Sequence, residues 1–151
     1  QSLNSLRIEK AYREYGHDMD NNDTPLEAGL SFAVKFDKPD GFIGRDALLR
    51  HIESGPLKYR MVQFLLDDPE PLLFGNEIIY RDGKIAGYLQ TGAYGFTLGG
   101  AMGMGFVENE AGATNDFINS GGYEIDIAGV RHSAKASLRP MYDPKGIRVN
   151  S

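Results

Sequence analysis

The sequence predicts an α+β chain, mainly β, in which a short mixed segment precedes a small antiparallel β-barrel. Two observations support this prediction. From residue 57 to residue 140, short β-like runs alternate with glycine turns, as in small barrels and sandwiches. Residues 1–54 instead mix helical and strand-like patterns, and residues 53–56, Glu-Ser-Gly-Pro, form the joint. We therefore expect two domains, at residues 1–54 and 57–151.

Two helical signals open the amino-terminal segment. Asn4 or Ser5 can cap a helix that runs to about Tyr15, and Gly16 would end it. After a polar loop, residues 24–27, Thr-Pro-Leu-Glu, match a capping box with proline at the first helical position. This box predicts only a short helical turn.

The next three pieces are a strand, a turn and a helix. Residues 30–36, LSFAVKF, alternate in hydrophobicity like a strand, and residues 38–41, KPDG, form a turn. Residues 45–52 contain alanine, leucine and isoleucine at the spacing of a short amphipathic helix, which Gly55-Pro56 would end.

The barrel prediction rests on strand runs and two hairpin turns. Residues 58–66, KYRMVQFLL, alternate between two faces. Asp82-Gly83 supplies the positive backbone angles of a tight turn, so Ile79 and Ile85 on its flanks are expected to reach the core. A second hairpin is expected around Ala128-Gly129, between YEIDI and VRHSAKASL.

Glycine marks the strand between these hairpins. Residues 101–107, AMGMGFV, form a strand thinned by glycine, as occurs where backbones approach closely. The local order Gly-x-x-Gly-x-Gly is the reverse of a dinucleotide-binding fingerprint, and no helix-forming segment follows it. We interpret the neighbouring aromatic residues as barrel packing: Tyr88, Tyr94 and Phe96.

Composition excludes several classes of function. The chain has no cysteine, which excludes disulfides, zinc–thiolate sites, iron–sulfur clusters and thiol nucleophiles. A net charge of -5 has the wrong sign for a phosphate-backbone binder, so no nucleic-acid partner is expected. No apolar stretch is long enough to cross a bilayer, so no membrane partner is expected, and a cytoplasmic or mitochondrial-matrix location fits best. Gln1, in place of an initiator methionine, suggests a cut point within a longer protein.

The polar stretch from Tyr15 to Gly29 raises the hypothesis of a metal site. Its oxygen ligands match the first, third and fifth positions of a calcium loop: Asp18, Asp20 and Asn22. The glycine and glutamate that such a loop requires are replaced by Asp23 and Gly29, and no second histidine lies near His17. We therefore expect no metal site, and we assign Glu27 to helix capping.

Three motifs stand in order near the amino terminus: SLRIEKAYREYGHDM at residues 5–19, TPLEAGLSFAVKFDK at 24–38 and GFIGRDAL at 41–48. Together they resemble the aminomethyltransferase family, the T-protein of the glycine cleavage system. Residues 83–107 and RPMYDPKG at 139–146 are similar to that family's carboxyl-terminal barrel and closing segment. The resemblance covers almost the whole chain and implies a tetrahydrofolate-dependent enzyme.

The first motif looks closer to the tail of sarcosine and dimethylglycine dehydrogenases than to the free-standing T-protein. In those enzymes one half binds FAD and oxidises an N-methyl amine, and the other half captures the one-carbon unit on tetrahydrofolate. The resemblance therefore implies a carboxyl-terminal portion, inactive alone, with the FAD site and catalytic residues in upstream domains of the same polypeptide. Two alternatives stay open: a free-standing T-protein or flavin-independent demethylase, and a non-catalytic barrel module that closes an upstream pocket.

Three residues are carried over from the family as folate contacts. Arg7 matches the arginine of the L-R-x-E motif, and a guanidinium suits the glutamyl carboxylate or pterin carbonyl of folate. Tyr15 of the Y-G motif would line the same pocket, and Phe32 stands where the T-protein often has tryptophan. The alternatives are a surface ion pair of Arg7 with Glu9 or an aspartate, and core packing for Tyr15. No catalytic or metal-binding residue is predicted within the chain, and its small-molecule partners would be folate and a methylamine substrate.

Overall fold

A computed structural model describes residues 2–148, which form three α-helices, one 3₁₀ turn and six β-strands. The helices are α1 (Ser2–Glu9), α2 (Arg45–Glu53) and α3 (Asn115–Ser120), and the 3₁₀ turn covers Ser31–Ala33. The strands are β1 (Tyr59–Leu66), β2 (Ile78–Arg81), β3 (Lys84–Gly95), β4 (Gly100–Glu108), β5 (Tyr123–Ile127) and β6 (Val130–Ser137). No helix in this part of the chain has both the length and the hydrophobicity that a bilayer crossing requires.

The six strands close into a barrel in which every pairing is antiparallel. Their order around the barrel is β1-β4-β3-β2-β5-β6. Arg81 pairs with Lys84 across Asp82-Gly83, whose φ angles of 49° and 78° are those of a tight hairpin turn. Strands β5 and β6 meet across Ala128-Gly129 in the same manner. The predicted antiparallel barrel and both predicted hairpins are confirmed.

Glycine in β4 allows β3 to lie close against it. A Cβ atom at Gly103 would lie 2.7 Å from the Leu89 side chain and 3.0 Å from the Thr91 carbonyl oxygen. A larger residue would have to push these atoms away, because the first distance is shorter than any ordinary carbon–carbon contact. The close backbone approach predicted for this strand is therefore confirmed.

The two faces of β1 belong to two hydrophobic clusters, as the alternation in KYRMVQFLL predicts. Val62, Phe64 and Leu66 lie in the barrel interior with buried side chains of the other strands, among them Ile79, Leu89, Val107 and Ile125. Met61 faces the opposite way, into a cluster completed by α1 and β4: Ile8, Ala11, Met102 and Met104. Burial of each large side chain stabilises the fold by about 1.5–3 kcal/mol, so α1 is firmly seated on the barrel wall.

Polar side chains also join α1 to the barrel. The buried Glu9 carboxylate accepts a hydrogen bond from the Thr97 N–H, at 2.6 Å, in the β3–β4 turn. The Gln63 side chain donates to the Ile8 carbonyl oxygen at 2.6 Å and accepts from the Met141 N–H at 2.8 Å. Gln63 thus bridges helix α1 and the closing segment, and the Tyr142 N–H donates directly to the Glu9 carbonyl oxygen at 3.3 Å. The division of the chain into domains at residues 1–54 and 57–151 stays a prediction.

Two predicted elements of the amino-terminal segment are wrong. Helix α1 ends at Glu9 and not near Tyr15, because Ala11 adopts a positive φ of 51° that a helix cannot contain. LSFAVKF forms the turn Ser31–Ala33 and no strand. Alternation favours a strand only where a partner strand and a core face are present, and the residues of this turn are all exposed. The KPDG turn and helix α2 are confirmed, the latter within one residue.

Within the barrel the errors concern individual side chains. Ile79 is fully buried, but Ile85 is 57% exposed. Ala86 is an unpaired bulge residue in β3, so Ile85 lies opposite Tyr80 and faces outward. Phe96 and Tyr88 are exposed, so the barrel-packing interpretation is wrong for these two rings. Helix α3 is not predicted by the sequence analysis, although its capping residue Thr114 forms the expected hydrogen bond.

Candidate functional site

Arg7, in the last turn of α1, lies in a closed hydrogen-bond network. Its side chain is 12% exposed and forms an ion pair with the Asp18 carboxylate through both terminal nitrogens. Its other N–H groups donate to Asn4 Oδ1 at 2.7 Å, the Tyr12 carbonyl oxygen at 3.3 Å and Thr91 Oγ1 at 3.3 Å. A guanidinium has five N–H donors, and here each has a protein acceptor. The network joins α1 to β3 and to the loop that follows the helix.

Asp18 orders the loop of residues 15–18, here called the Y-G-H-D loop, from its buried side. Its side chain has no exposed surface, and Oδ2 also accepts a hydrogen bond from the Glu14 N–H at 2.8 Å. Gly16, with a φ of 85°, donates its N–H to the Met19 carbonyl oxygen at 2.8 Å and so closes the turn. A buried carboxylate is stable only with a paired charge, which Arg7 supplies. The Arg7–Asp pair considered from the sequence therefore exists, but it is buried and not on a helix surface.

Tyr15 and Phe32, the two aromatic residues predicted to contact folate, lie on the surface. Tyr15 is 68% exposed beside the Y-G turn, and Phe32 is 84% exposed in the 3₁₀ turn. Within residues 2–148, core packing, the alternative for Tyr15, is therefore wrong. Among the described residues neither ring is stacked on or hydrogen-bonded to Arg7. Each ring is open to contact with a ligand or with another protein segment.

The capping box of residues 24–27 forms as predicted and orients a second buried carboxylate. Glu27 Oε2 accepts hydrogen bonds from the Thr24 N–H at 2.9 Å and from its hydroxyl at 2.6 Å. The Glu27 N–H donates back to Thr24 Oγ1 at 3.3 Å. The other carboxylate oxygen, Oε1, lies 3.7 Å from His51 Nε2 on α2. The capping role assigned to Glu27 is confirmed.

A groove runs along the outside of the barrel, between residues 16–27 and strands β1, β3 and β4. It consists of three adjoining cavities of 280, 240 and 640 Å³. In its wall the Tyr59 ring packs edge-on against Phe106, with centroids 5.2 Å apart. Burial, together with the nearby Glu27 and Asp23 carboxylates, raises the pKa of Tyr59 to about 12. The phenol therefore stays neutral and can donate a hydrogen bond at any physiological pH.

The residues around Arg7 are the part of the site that sequence reasoning missed. From the sequence, Asp18 is compared only with a calcium-loop position, where no metal site is expected, and Thr91 is not considered. The two residues lie 11 and 84 positions away from Arg7 along the chain. The aspartate that follows the Y-G motif is a local signal in the sequence, but the sequence alone does not show that this residue pairs with Arg7. No group of three or more acidic or histidine side chains within residues 2–148 has the arrangement of a metal site.

Two family models match the chain. The glycine cleavage T-protein C-terminal barrel domain matches residues 60–143, which contain all six strands except the first residue of β1. The GCVT N-terminal domain matches residues 1–38, which contain α1, the Y-G-H-D loop and the 3₁₀ turn. Helix α2 lies between the two matched regions.

Three curated relatives are similar over nearly the whole chain. A 4-methylaminobutanoate oxidase (formaldehyde-forming) from Paenarthrobacter nicotinovorans is 42% identical over 148 residues, 98% of this chain and 17% of the relative. A mitochondrial pyruvate dehydrogenase phosphatase regulatory subunit from Mus musculus is 45% identical, over 93% of this chain and 17% of the relative. Human mitochondrial sarcosine dehydrogenase is 36% identical, over 99% of this chain and 16% of the relative. The chain thus spans about a sixth of the length of these relatives.

The fold also matches a solved structure. The crystal structure of glycine cleavage system aminomethyltransferase T from Bartonella henselae superposes with a TM-score of 0.75. The match covers 93% of this chain and 38% of that chain, at 21% sequence identity. It shows a common fold and agrees with the barrel class that the sequence predicts.

Proposed function

The chain belongs to the family of the glycine cleavage T-protein C-terminal barrel domain, and we propose that it is the carboxyl-terminal, folate-binding portion of an N-demethylating enzyme of the sarcosine or dimethylglycine dehydrogenase type. A flavin held by other domains of the polypeptide would accept the two electrons of amine oxidation, and tetrahydrofolate would take up the released one-carbon unit. The substrate class is a small N-methyl amine. We assign the oxidation itself to those other domains and not to residues of this chain.

One observation carries this proposal. The whole chain, through both family modules, is 36–42% identical to relatives named for the oxidation of 4-methylaminobutanoate and sarcosine, both of which are N-methyl amines. The similarity includes the Y-G-H-D loop and the 3₁₀ turn, which carry the exposed aromatic residues, and is not confined to the barrel strands.

We assign Arg7, Tyr15 and Phe32 to the folate site. The exposed rings of Tyr15 and Phe32 can stack on the flat pterin or aminobenzoyl ring, so they fit a folate. Every N–H group of Arg7 has a protein acceptor. The hydrogen bonds to the Tyr12 carbonyl oxygen and to Thr91 Oγ1, both 3.3 Å long, are among the longest of these. Arg7 would reach a folate carboxylate or carbonyl by exchanging one of these two bonds, and the Asp18 ion pair would hold the guanidinium in place.

Calorimetric titration of tetrahydrofolate into variants of the full-length polypeptide tests these assignments. Arg7→Ala should weaken binding roughly tenfold to a hundredfold, the value of a charge-assisted hydrogen bond, and Arg7→Lys should restore only part of it. Tyr15→Ala and Phe32→Ala should each weaken binding by up to about tenfold. Amine oxidation, measured with an artificial electron acceptor, should stay unchanged in all four variants.

Tyr12→Ala is the matched control, because the Tyr12 ring is also exposed, at 55%, on the same segment, but is not assigned to the site. It should bind tetrahydrofolate as the wild type does. Equal affinity in the wild type and in the Arg7, Tyr15 and Phe32 variants would overturn the site assignment.

A second candidate function is a non-catalytic module, favoured by the 45% identity to a protein named as a regulatory subunit. In that case the barrel would serve protein association. Anaerobic mixing of the full-length polypeptide with N-methyl amines separates the two candidates, because bleaching of a flavin absorbance band supports the enzyme. A polypeptide that carries no flavin and oxidises no N-methyl amine supports the module.

A further inference from the structure

Helix α2 has an apolar face that the rest of residues 2–148 covers only in part, since Leu48 and Leu49 are half-buried and Ile52 is exposed. Leu48, Leu49 and Ile52 are spaced for one side of the helix, yet none of the nine residues of α2 is buried. A short helix owes most of its stability to packing of its apolar face. A nine-residue amphipathic helix with no buried residue therefore has an unfilled packing requirement.

The turn before α2 adds an anchor to this face. The Ile43 side chain is fully exposed and lies between two glycines in the left-handed conformation. The turn is ordered, because Arg45 Nε donates to the Phe36 carbonyl oxygen at 2.9 Å and the Phe36 and Phe42 rings pack edge-on at 6.2 Å. A large aliphatic side chain held out from an ordered turn has the form of an interface anchor.

We propose that Ile43 and the apolar side of α2, together called the α2 face, dock against further residues of the GCVT N-terminal domain in the same polypeptide. This inference rests on the proposed function for the existence of that domain. Its family model matches residues 1–38, which lead directly into the α2 face. The relatives are about six times as long as this chain, so sequence to cover the face is present in them.

The chemistry around Ile43 indicates the kind of surface that it meets. A cavity of 590 Å³ beside the turn is lined by side chains of both signs: Asp40, Arg45, Asp46 and Arg50. Apolar centres with a mixed polar rim are typical of contacts between protein domains. A bilayer surface or a nucleic acid would select positive charge alone. The occupant is therefore an apolar pocket with polar edges.

Hydrogen exchange in the full-length polypeptide tests the docking. The amides of α2 should be protected in the wild type, and Ile43→Asp should speed their exchange roughly tenfold to a hundredfold, because a buried isoleucine contributes that factor to the docking equilibrium. Ile43→Ala should act in the same direction with a smaller effect. Ile85→Asp is the matched control, since Ile85 is an exposed isoleucine on the barrel, and it should leave α2 unchanged.

Three results would overturn the docking. One is α2 exchange in the wild type as fast as in an exposed loop, and another is an equal effect of Ile43→Asp and Ile85→Asp. The third is protection that rises with protein concentration, which would show that a second copy covers the face. Tetrahydrofolate binding, measured on the same samples, separates this inference from the proposed function: protected α2 amides without folate binding would leave the docking intact and remove the function.

Discussion

Removing Asp18 should destabilise the chain more than any other single polar substitution near Arg7. The Asp18 side chain has no exposed surface and that of Arg7 is 12% exposed, so water compensates neither charge when its partner is lost. Breaking a buried ion pair costs about 3–5 kcal/mol of unfolding free energy. Asp18→Ala also leaves the Glu14 N–H without its acceptor, which places the expected loss in the upper half of that range.

Urea unfolding of the 151-residue chain measures this loss. With a denaturant dependence of about 1–3 kcal/mol per molar, the midpoint should fall by about 1–5 M. Glu14→Ala is the matched control, because Glu14 is the other carboxylate of the same arginine, at 3.3 Å, but is 59% exposed. It should cost less than about 1 kcal/mol.

A double-mutant cycle completes the test. Arg7→Ala and Asp18→Ala together should destabilise the chain by much less than the sum of the two single variants, because the double variant has no unpaired buried charge. A loss below about 1 kcal/mol in Asp18→Ala, or additive losses in the cycle, would refute the buried pair as the element that holds the Y-G-H-D loop.

Three further predictions concern pH and metals. The folded pKa of Tyr59 is about 12, above its usual value of about 10. The contribution of this hydroxyl to the unfolding free energy is therefore fully present below about pH 10 and is lost as the pH rises toward 12. Tyr59→Phe should therefore flatten the alkaline decline of the unfolding free energy measured with urea, and an unchanged slope would contradict the raised pKa of this half-buried phenol. The hydrogen bond from Lys10 holds the pKa of Asp143 below its usual range, so the advantage of the wild type over Asp143→Asn should be present at pH 7 and shrink below about pH 4. If the difference in melting temperature between the wild type and Asp143→Asn stayed constant down to about pH 2, it would contradict the hydrogen bond from Lys10 to Asp143. Calcium, zinc or a chelator should leave the melting temperature unchanged, and since a ligand at a hundred times its Kd adds about 2.7 kcal/mol, a reproducible rise would reveal a metal site.

The features that could be predicted from the sequence are those with a local cause. Asp82-Gly83 specifies its hairpin because two adjacent residues accept positive φ angles, and residues 24–27 specify their own capping hydrogen bonds. LSFAVKF misleads because alternation describes only one side of a contact, and no strand within residues 2–148 pairs with it. Ile85 misleads because Ala86, the next residue of the same strand, is an unpaired bulge that reverses the face of Ile85.

The candidate site is less predictable because its contacts are distant in sequence. Arg7, Tyr15 and Phe32 come from the family resemblance, which names residues but not their surroundings. The acceptors that occupy Arg7 come from the Y-G-H-D loop and from β3, 84 positions away at Thr91. Closure of the barrel and seating of α1 bring these groups together, and neither is encoded near Arg7 itself.

Direct binding of tetrahydrofolate to the full-length polypeptide tests the central claim most simply. Calorimetric titration should show one saturable site per polypeptide, with an affinity that falls in Arg7→Ala and stays unchanged in Tyr12→Ala. The absence of saturable binding in a polypeptide that unfolds cooperatively and is therefore intact would contradict the assignment of this chain to a folate-dependent enzyme.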